Sequence, residues 1–96
     1  MLTKNQIRYL RSLANTCENK YQIGKFEISD TVIDLLDKAL LKHELIKVVV
    51  NQSVSDNKSD YAYLLSEALH CELIQIIGNV IVLYRKNLRE PKIILP

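Results

Sequence analysis

The segment IGKFEIS, residues 23–29, carries the residue types that hold a phosphate group ahead of a helix. Gly24 lets a backbone approach an anion closely, Lys25 adds a cation, and the first N–H groups of a following helix point outward as donors. By itself this signal is weak, because an ordinary turn at the end of a strand has the same composition. An anion-binding loop and a plain turn are both compatible with these residues.

Catalytic and metal-binding motifs are absent from the sequence. It contains no G-x-S-x-G, H-E-x-x-H or Walker-type loop. Asp30, Asp34 and Asp37 recur along one predicted helix, where the helix macrodipole and solubility explain them better than catalysis. The two histidines and two cysteines lack the spacing of a four-ligand zinc site. We therefore expect no enzymatic activity, no cofactor, no metal and no small-molecule substrate.

Length and composition predict a single globular domain. The chain has 96 residues, of which 48% are hydrophobic and 25% are charged. It has no apolar run near the roughly 20 residues of a membrane span and no signal-peptide pattern, so we expect a cytoplasmic protein with no membrane partner and two free thiols. The formal net charge is only +2, so nucleic-acid binding would require local clustering of cations.

Capping residues, periodicity and turn signals predict seven elements. Thr3 and Gln6 form a capping box, and Ser29 is a suitable N-cap, so a helix begins after each of these signals. Gly78 and Asn79 form a two-residue hairpin turn whose leading glycine suits type II′. The predicted elements are a helix over 4–14, a strand over 20–24, a helix over 30–43, a strand over 45–50, a polar loop over 51–60, a helix from residue 61, and two strands around the hairpin turn.

Apolar residues at helical spacing predict the buried face of each helix. These residues are Ile7, Leu10, Leu13 and Ala14 in the first helix; Val32, Ile33, Leu36, Ala39, Leu40 and Leu41 in the second; and Tyr61, Leu64, Leu65, Ala68 and Leu69 in the third.

The element order α-β-α-β-α-β-β predicts an α/β fold, a four-stranded mixed sheet with three helices packed on it. The two strand-helix-strand units are expected to cross over right-handed and make parallel pairs, and the last strand is expected to run antiparallel to its neighbour. The single domain would cover 1–96, with a core over about 2–85 and a tail over 86–96. The apolar end of that tail, 93–95, can pack on the core or on a neighbouring molecule.

Three cations recur on one flank of the first predicted helix. Lys4, Arg8 and Arg11 stand at i, i+4 and i+7, a spacing that places them in one line along the helix. Charge patterning alone allows two interpretations, a solvated helix surface or part of a basic patch that binds an anionic partner.

The order of several segments resembles the YhbY-type CRM (chloroplast RNA splicing and ribosome maturation) domain. The segments HELIKV, 43–48, and IGNVIVLYR, 77–85, match the most recognisable stretches of that family, and KIILP resembles the end of its stand-alone bacterial members. The likeness spans nearly the whole chain. It implies the fold inferred above, which is similar to the C-terminal domain of bacterial translation initiation factor three.

This resemblance implies a non-enzymatic protein that binds RNA, either ribosomal RNA or a pre-ribosomal particle, during assembly of the large ribosomal subunit. It also implies that the G-x-x-G loop of the family, where backbone N–H groups clamp nucleotides, is GKFE at 24–27. The residues implied for RNA binding are Gly24, Lys25 and Phe26 in the loop, Lys4, Arg8 and Arg11 on the first helix, and Lys20, Arg85 and Lys86 beside them.

The loop departs from the family pattern at its last position. Glu27 replaces the second glycine, which removes easy access to positive φ and adds a charge that repels phosphate. Phe26 can stack on an unpaired base or fold back on the core, and the sequence does not distinguish the two. The alternative function is therefore a protein-interaction module with weakened RNA affinity. The oligomeric state is open.

Overall fold

The protein is described here by a computed structural model, which covers residues 2–23, 29–50 and 58–96. Three helices alternate with four strands along the chain. The elements are α1 (Lys4–Thr16), β1 (Lys20–Ile23), α2 (Asp30–His43), β2 (Leu45–Val50), α3 (Lys58–Leu69), β3 (Glu72–Ile77) and β4 (Val80–Tyr84).

Most of the predicted element bounds are confirmed. α2 and β2 begin and end at the predicted residues, and α1 continues two residues beyond its predicted end. The predicted loop 51–60 is wrong at its last three residues, because α3 begins at Lys58, while 51–57 lie outside the described residues. Ser59 and Asp60 are exposed, so this first turn has no apolar periodicity to reveal it.

The strands form one mixed sheet in the order β1-β2-β4-β3. β1 and β2 pair in parallel, whereas β4 pairs antiparallel with both β2 and β3. The expected mixed four-stranded sheet is confirmed, but the second expected parallel pair is wrong: β2 and β3 run in the same direction with β4 between them. Ile81, Val82 and Leu83 of β4 are buried, which suits an interior strand covered on both faces.

Helices cover both faces of the sheet. α2 and α3 pack on one face, where Leu36, Leu40 and Leu65 meet Ile46 and Ile81 of the central strands. α1 packs on the other face through Leu10 and Ala14, which share a cluster with Leu45, Val82 and Tyr84. The molecule therefore has three layers, and the residues of α1 lie on the opposite side of the sheet from those of α2 and α3.

Three residues of the predicted buried faces are exposed. Leu41 of α2 and Leu64 of α3 are 51% and 53% exposed, and Ala68 also faces solvent. The face that each helix presents to the sheet is narrower than the apolar stripe in its sequence. In α3 the buried face instead includes Ala62, which is fully buried.

The C-terminal tail packs on the core of its own chain. Ile93 and Leu95 contact the α1 cluster, which resolves the alternative that the sequence left open. Glu44 anchors the tail, since its fully buried carboxylate accepts backbone hydrogen bonds from Asn87, Lys92 and Ile93 at 2.7, 2.5 and 2.7 Å. This residue follows α2 and has a φ of 64°, so its backbone takes a conformation that favours glycine.

The β3–β4 hairpin turn has the predicted type. Gly78 has a φ of 57°, whereas Asn79 is not among the described residues with positive φ. Positive φ at the first turn position alone distinguishes type II′ from type I′. None of the three helices is both long enough and apolar enough to cross a bilayer, as far as the described residues go.

Candidate nucleic-acid interface

The helix α1 positions the α1 stripe, which consists of Lys4, Arg8 and Arg11, through its capping box and its apolar face. The Thr3 hydroxyl accepts a hydrogen bond from Gln6 N at 3.1 Å, and the Gln6 side chain accepts one from Thr3 N at 2.9 Å. These bonds satisfy two N–H groups that a helix start otherwise leaves free. Leu10 and Ala14 then fix the rotation of the helix by packing on the sheet. The cations, which lie on another flank of the helix, consequently face solvent.

Lys4, Arg8 and Arg11 lie together along that flank. They line one surface depression of about 250 Å³ with Ile7 between them, and all three are exposed. None of them forms an ion pair with any described carboxylate. Residues 1–17 contain no aspartate or glutamate, so the stripe carries three positive charges with no acidic neighbour on its own helix. This arrangement attracts polyanions through charge alone.

Lys20 lies beside a second lysine that the sequence analysis did not select. Lys20 of β1 pairs in register with Lys47 of β2, and both line a depression of about 540 Å³ next to the end of α1. Lys20 is exposed, and Lys47 is half-buried. The signal available in the sequence was a charged residue in the middle of the otherwise apolar segment LIKVVV.

Arg85 is held by contacts within the protein. Its Nη1 donates to Asp37 Oδ1 at 2.7 Å and to the Leu69 carbonyl at 2.8 Å, and its Nη2 donates to the Asp37 carbonyl at 3.0 Å. The side chain is only 20% exposed. It joins the C-terminal halves of α2 and α3 on the face opposite α1. These contacts give Arg85 a role in packing. It also lines a depression with Lys86 and with Gln6 at the start of α1, but not the depression of the α1 stripe. Its contact with RNA stays a prediction.

Lys86 is exposed at the other end of the sheet from the hairpin turn. It lines a depression with Gln6, Tyr84 and Leu95, where the start of α1 meets the tail. Neither of the depressions that Lys86 lines contains a residue of the α1 stripe or Lys20.

The predicted loop residues Gly24, Lys25 and Phe26 lie outside the described residues. Their described neighbours match the prediction on both sides. β1 ends at Ile23, and Ser29 caps α2 by accepting a hydrogen bond from Val32 N at 3.2 Å. The segment 24–28 therefore lies between a strand and the N-terminus of a helix, the position that an anion-binding loop requires.

One depression in the described part of the chain brings titratable side chains together. His70, Cys71 and Glu72 line it, but burial raises the pKa of the Cys71 thiol to about 11, the reverse of what activates a nucleophile. Burial also lowers the pKa of His43, with Lys42 contributing. No group of three or more metal-ligating side chains occurs among the described residues.

The sequence of the chain is similar to a known domain family and to several known proteins. The family model described as the CRS1 / YhbY (CRM) domain matches residues 2–85. The chain is 41% identical to the Bacillus subtilis "Probable RNA-binding protein YqeI", with all of both chains covered. It is 30% identical to a Haemophilus influenzae "RNA-binding protein" over 99% of this chain and 95% of that one.

A solved structure has the same fold. The solution structure of the hypothetical protein SAV1595 from Staphylococcus aureus superposes with a TM-score of 0.83, at 47% identity and with all of both chains covered. The sheet, the three helices and their order thus recur in a structure determined independently of this one.

Proposed function

Because the chain belongs to the CRS1 / YhbY (CRM) domain family, we propose that it is a non-enzymatic RNA-binding protein. The names of the Bacillus subtilis and Haemophilus influenzae relatives, both of which are called RNA-binding proteins, support this function. The observation that carries the proposal is the α1 stripe. Lys4, Arg8 and Arg11 are exposed, lie in line and are unpaired with any described carboxylate.

The chemistry of this stripe suits the RNA backbone rather than the bases. Lysine and arginine bind phosphate through charge and through N–H donors. Contacts of this kind position a protein on RNA without reading its sequence. We propose that specificity comes from the shape of a folded RNA, with the loop GKFE contributing backbone contacts at its glycine.

The finer part of the proposal concerns the target. We propose that the RNA is ribosomal, free or within a pre-ribosomal particle, and that the protein acts in the cytoplasm during assembly of the large subunit. The match to the Bacillus subtilis relative covers that protein from end to end at 41% identity, and it supports a comparison with that RNA-binding protein.

Salt-dependent titration of a folded fragment of large-subunit ribosomal RNA tests the function. We expect the logarithm of affinity to fall linearly with the logarithm of salt concentration, with a slope of about 0.7 to 0.9 per phosphate contacted. The double variant Arg8→Gln/Arg11→Gln should bind more weakly. Its slope of log affinity against log salt should be shallower by the amount expected for the loss of about two phosphate contacts. Circular dichroism and thermal unfolding establish that the variant is folded.

The matched control is the double variant Lys38→Gln/Lys42→Gln. It removes the same charge from exposed positions of α2, on the opposite face of the sheet. Its slope should equal that of the unmodified protein. Absent affinity contradicts RNA binding itself, and affinity that is insensitive to salt contradicts binding through phosphate contacts. Equal losses in both double variants contradict the placement of the interface on α1.

The loop is tested separately. Lys25→Ala should weaken binding, because it removes a cation beside the phosphate that the loop is proposed to hold. Glu27→Gly should strengthen it, because it restores the family glycine and removes a repelling charge. If Glu27→Gly leaves negligible RNA binding negligible, the protein-interaction alternative gains instead. That alternative is favoured by the exposed apolar side chains of α2 and α3, Leu41, Tyr63 and Leu64.

A further inference from the structure

Lys47 occupies a position that the fold alone does not explain. It lies on β2, an interior strand, between Lys20 of β1 and Val82 of β4. Charged residues on an edge strand prevent aggregation, which accounts for Lys20, but an interior strand has no free edge to protect. Lys47 is half-buried beside the fully packed Val82, and it lines the depression at the end of α1. Partial burial of this kind is typical of a lysine that covers its stem and keeps its ammonium group in water.

The two lysines form a concentrated positive site. They are register partners on adjacent parallel strands, which lie about 4.8 Å apart, and their side chains point to the same face of the sheet. Like charges placed directly opposite each other destabilise a sheet. No described carboxylate forms an ion pair with either ammonium group. A bound anion would turn this repulsion into attraction.

Two negative features near the pair do not neutralise it. The C-terminal end of α1 contributes about half an elementary charge. Glu18 also lines the depression, but it is exposed and forms no ion pair with any described residue. Arg11 lies one helical turn before the depression and adds a third positive charge near it. The net charge around the depression therefore stays positive.

The lysine pair continues the α1 stripe. Positions 4, 8 and 11 carry the cations, and the next position on the same flank is Asn15, which lines the depression that contains Lys20 and Lys47. At 1.5 Å per residue, Lys4 to Asn15 spans about 17 Å of helix. The two depressions thus follow each other along one side of the molecule.

We propose that Lys20 and Lys47 hold a phosphate of the RNA backbone, so that one phosphodiester strand runs along α1 and into the depression that these two lysines line. This inference rests on the proposed function and adds a second phosphate site, at a residue outside both the stripe and the loop. Asn15 lies between the sites and supplies an amide donor to the backbone.

Opposite charge changes at this site test the inference with the same folded ribosomal RNA fragment. In Lys20→Gln/Lys47→Gln, the loss of affinity on raising salt from 50 to 200 mM should be smaller than in the unmodified protein by about threefold per lost contact. Glu18→Gln should raise affinity at low salt by about threefold, because a repelling charge within several ångströms of the phosphate is removed.

The gain expected for Glu18→Gln guards against misfolding, since a damaged fold does not bind RNA more tightly. Lys47→Arg, which keeps the charge, should retain the salt slope, and Lys38→Gln/Lys42→Gln serves as the matched loss of two charges. The proposal of a second phosphate site is overturned if Lys20→Gln/Lys47→Gln keeps the salt dependence of the unmodified protein. It is also overturned if Glu18→Gln leaves the affinity at low salt unchanged. If the α1 variants still lose affinity in that case, the proposed function stands; if the unmodified protein binds no RNA, the function itself fails.

Discussion

The buried carboxylate of Glu44 should be the largest single polar contribution to stability in the tail. It accepts three backbone hydrogen bonds, from Asn87, Lys92 and Ile93, and its own carbonyl accepts one from Arg85 N at 2.9 Å. A hydrogen bond to a charged acceptor contributes about 1.5 kcal/mol at the low end of its range, which applies because the tail N–H groups regain water on detachment. Glu44→Ala should therefore lower the free energy of unfolding by about 4 to 5 kcal/mol, a large part of the total for a small domain.

A comparison of three substitutions separates the carboxylate from the backbone strain. Glu44→Gly also loses the three bonds, but glycine accepts the φ of 64° without strain, so this variant should be more stable than Glu44→Ala by about 1 kcal/mol. Glu44→Gln should lie between Glu44→Ala and the unmodified protein. Its one amide oxygen can serve Lys92 and Ile93, while its NH₂ group faces the N–H of Asn87.

Urea unfolding followed by far-UV circular dichroism measures these differences, with the midpoint and the slope reported together. Glu90→Ala is the control, because Glu90 is exposed in the same tail. A loss below about 1 kcal/mol for Glu44→Ala would show that the tail is not held by this carboxylate. Equal stability of the alanine and glycine variants would refute the contribution of backbone strain.

Three further predictions concern single side chains. Tyr84→Phe should be neutral or stabilising by up to about 1 kcal/mol in thermal unfolding, because the buried Tyr84 hydroxyl has no hydrogen-bond partner among the described residues; a clear loss would reveal a partner. Gly78→Ala should cost about 1 kcal/mol, since a Cβ meets nothing within 4 Å and the penalty comes only from its φ of 57°; an unchanged unfolding midpoint would contradict this. Burial raises the Cys71 pKa from 9.0 to about 11, so the folded state favours the neutral thiol, and this contribution is present below pH 9 and is lost as pH rises toward 11. The difference in stability between the unmodified protein and Cys71→Ala, measured across that range, should shrink with rising pH, and a constant difference would refute the assignment.

Local signals predicted the elements because each acts over a few residues. The capping box at Thr3 and Gln6, the N-cap at Ser29 and the turn at Gly78 are all present in the structure. The first turn of α3 escaped prediction because its sequence is polar, and its described side chains, Ser59 and Asp60, are exposed. The likeness to the C-terminal domain of translation initiation factor three stays a prediction.

The candidate site was only partly accessible from the sequence. The α1 stripe could be found because i, i+4 and i+7 positions are neighbours in any helix. Lys47 could not be joined to Lys20, 27 residues away, without the register of β1 and β2. Arg85 looked like another surface cation, and only the packing of α2 against α3 shows that its guanidinium bonds Asp37 and the Leu69 carbonyl.

The sequence by itself determined the helices, the strands and the charge on α1, since these depend on short-range spacing and on backbone preferences. The tertiary structure decided which cations share a surface, where β4 lies in the sheet, and whether the tail packs on its own core. These features depend on contacts between distant residues, whose free energies exist only once the sheet and its two helical layers have assembled. The loop GKFE illustrates the division: its residue types are read from the sequence, while β1 and the capped start of α2 supply its place in the fold.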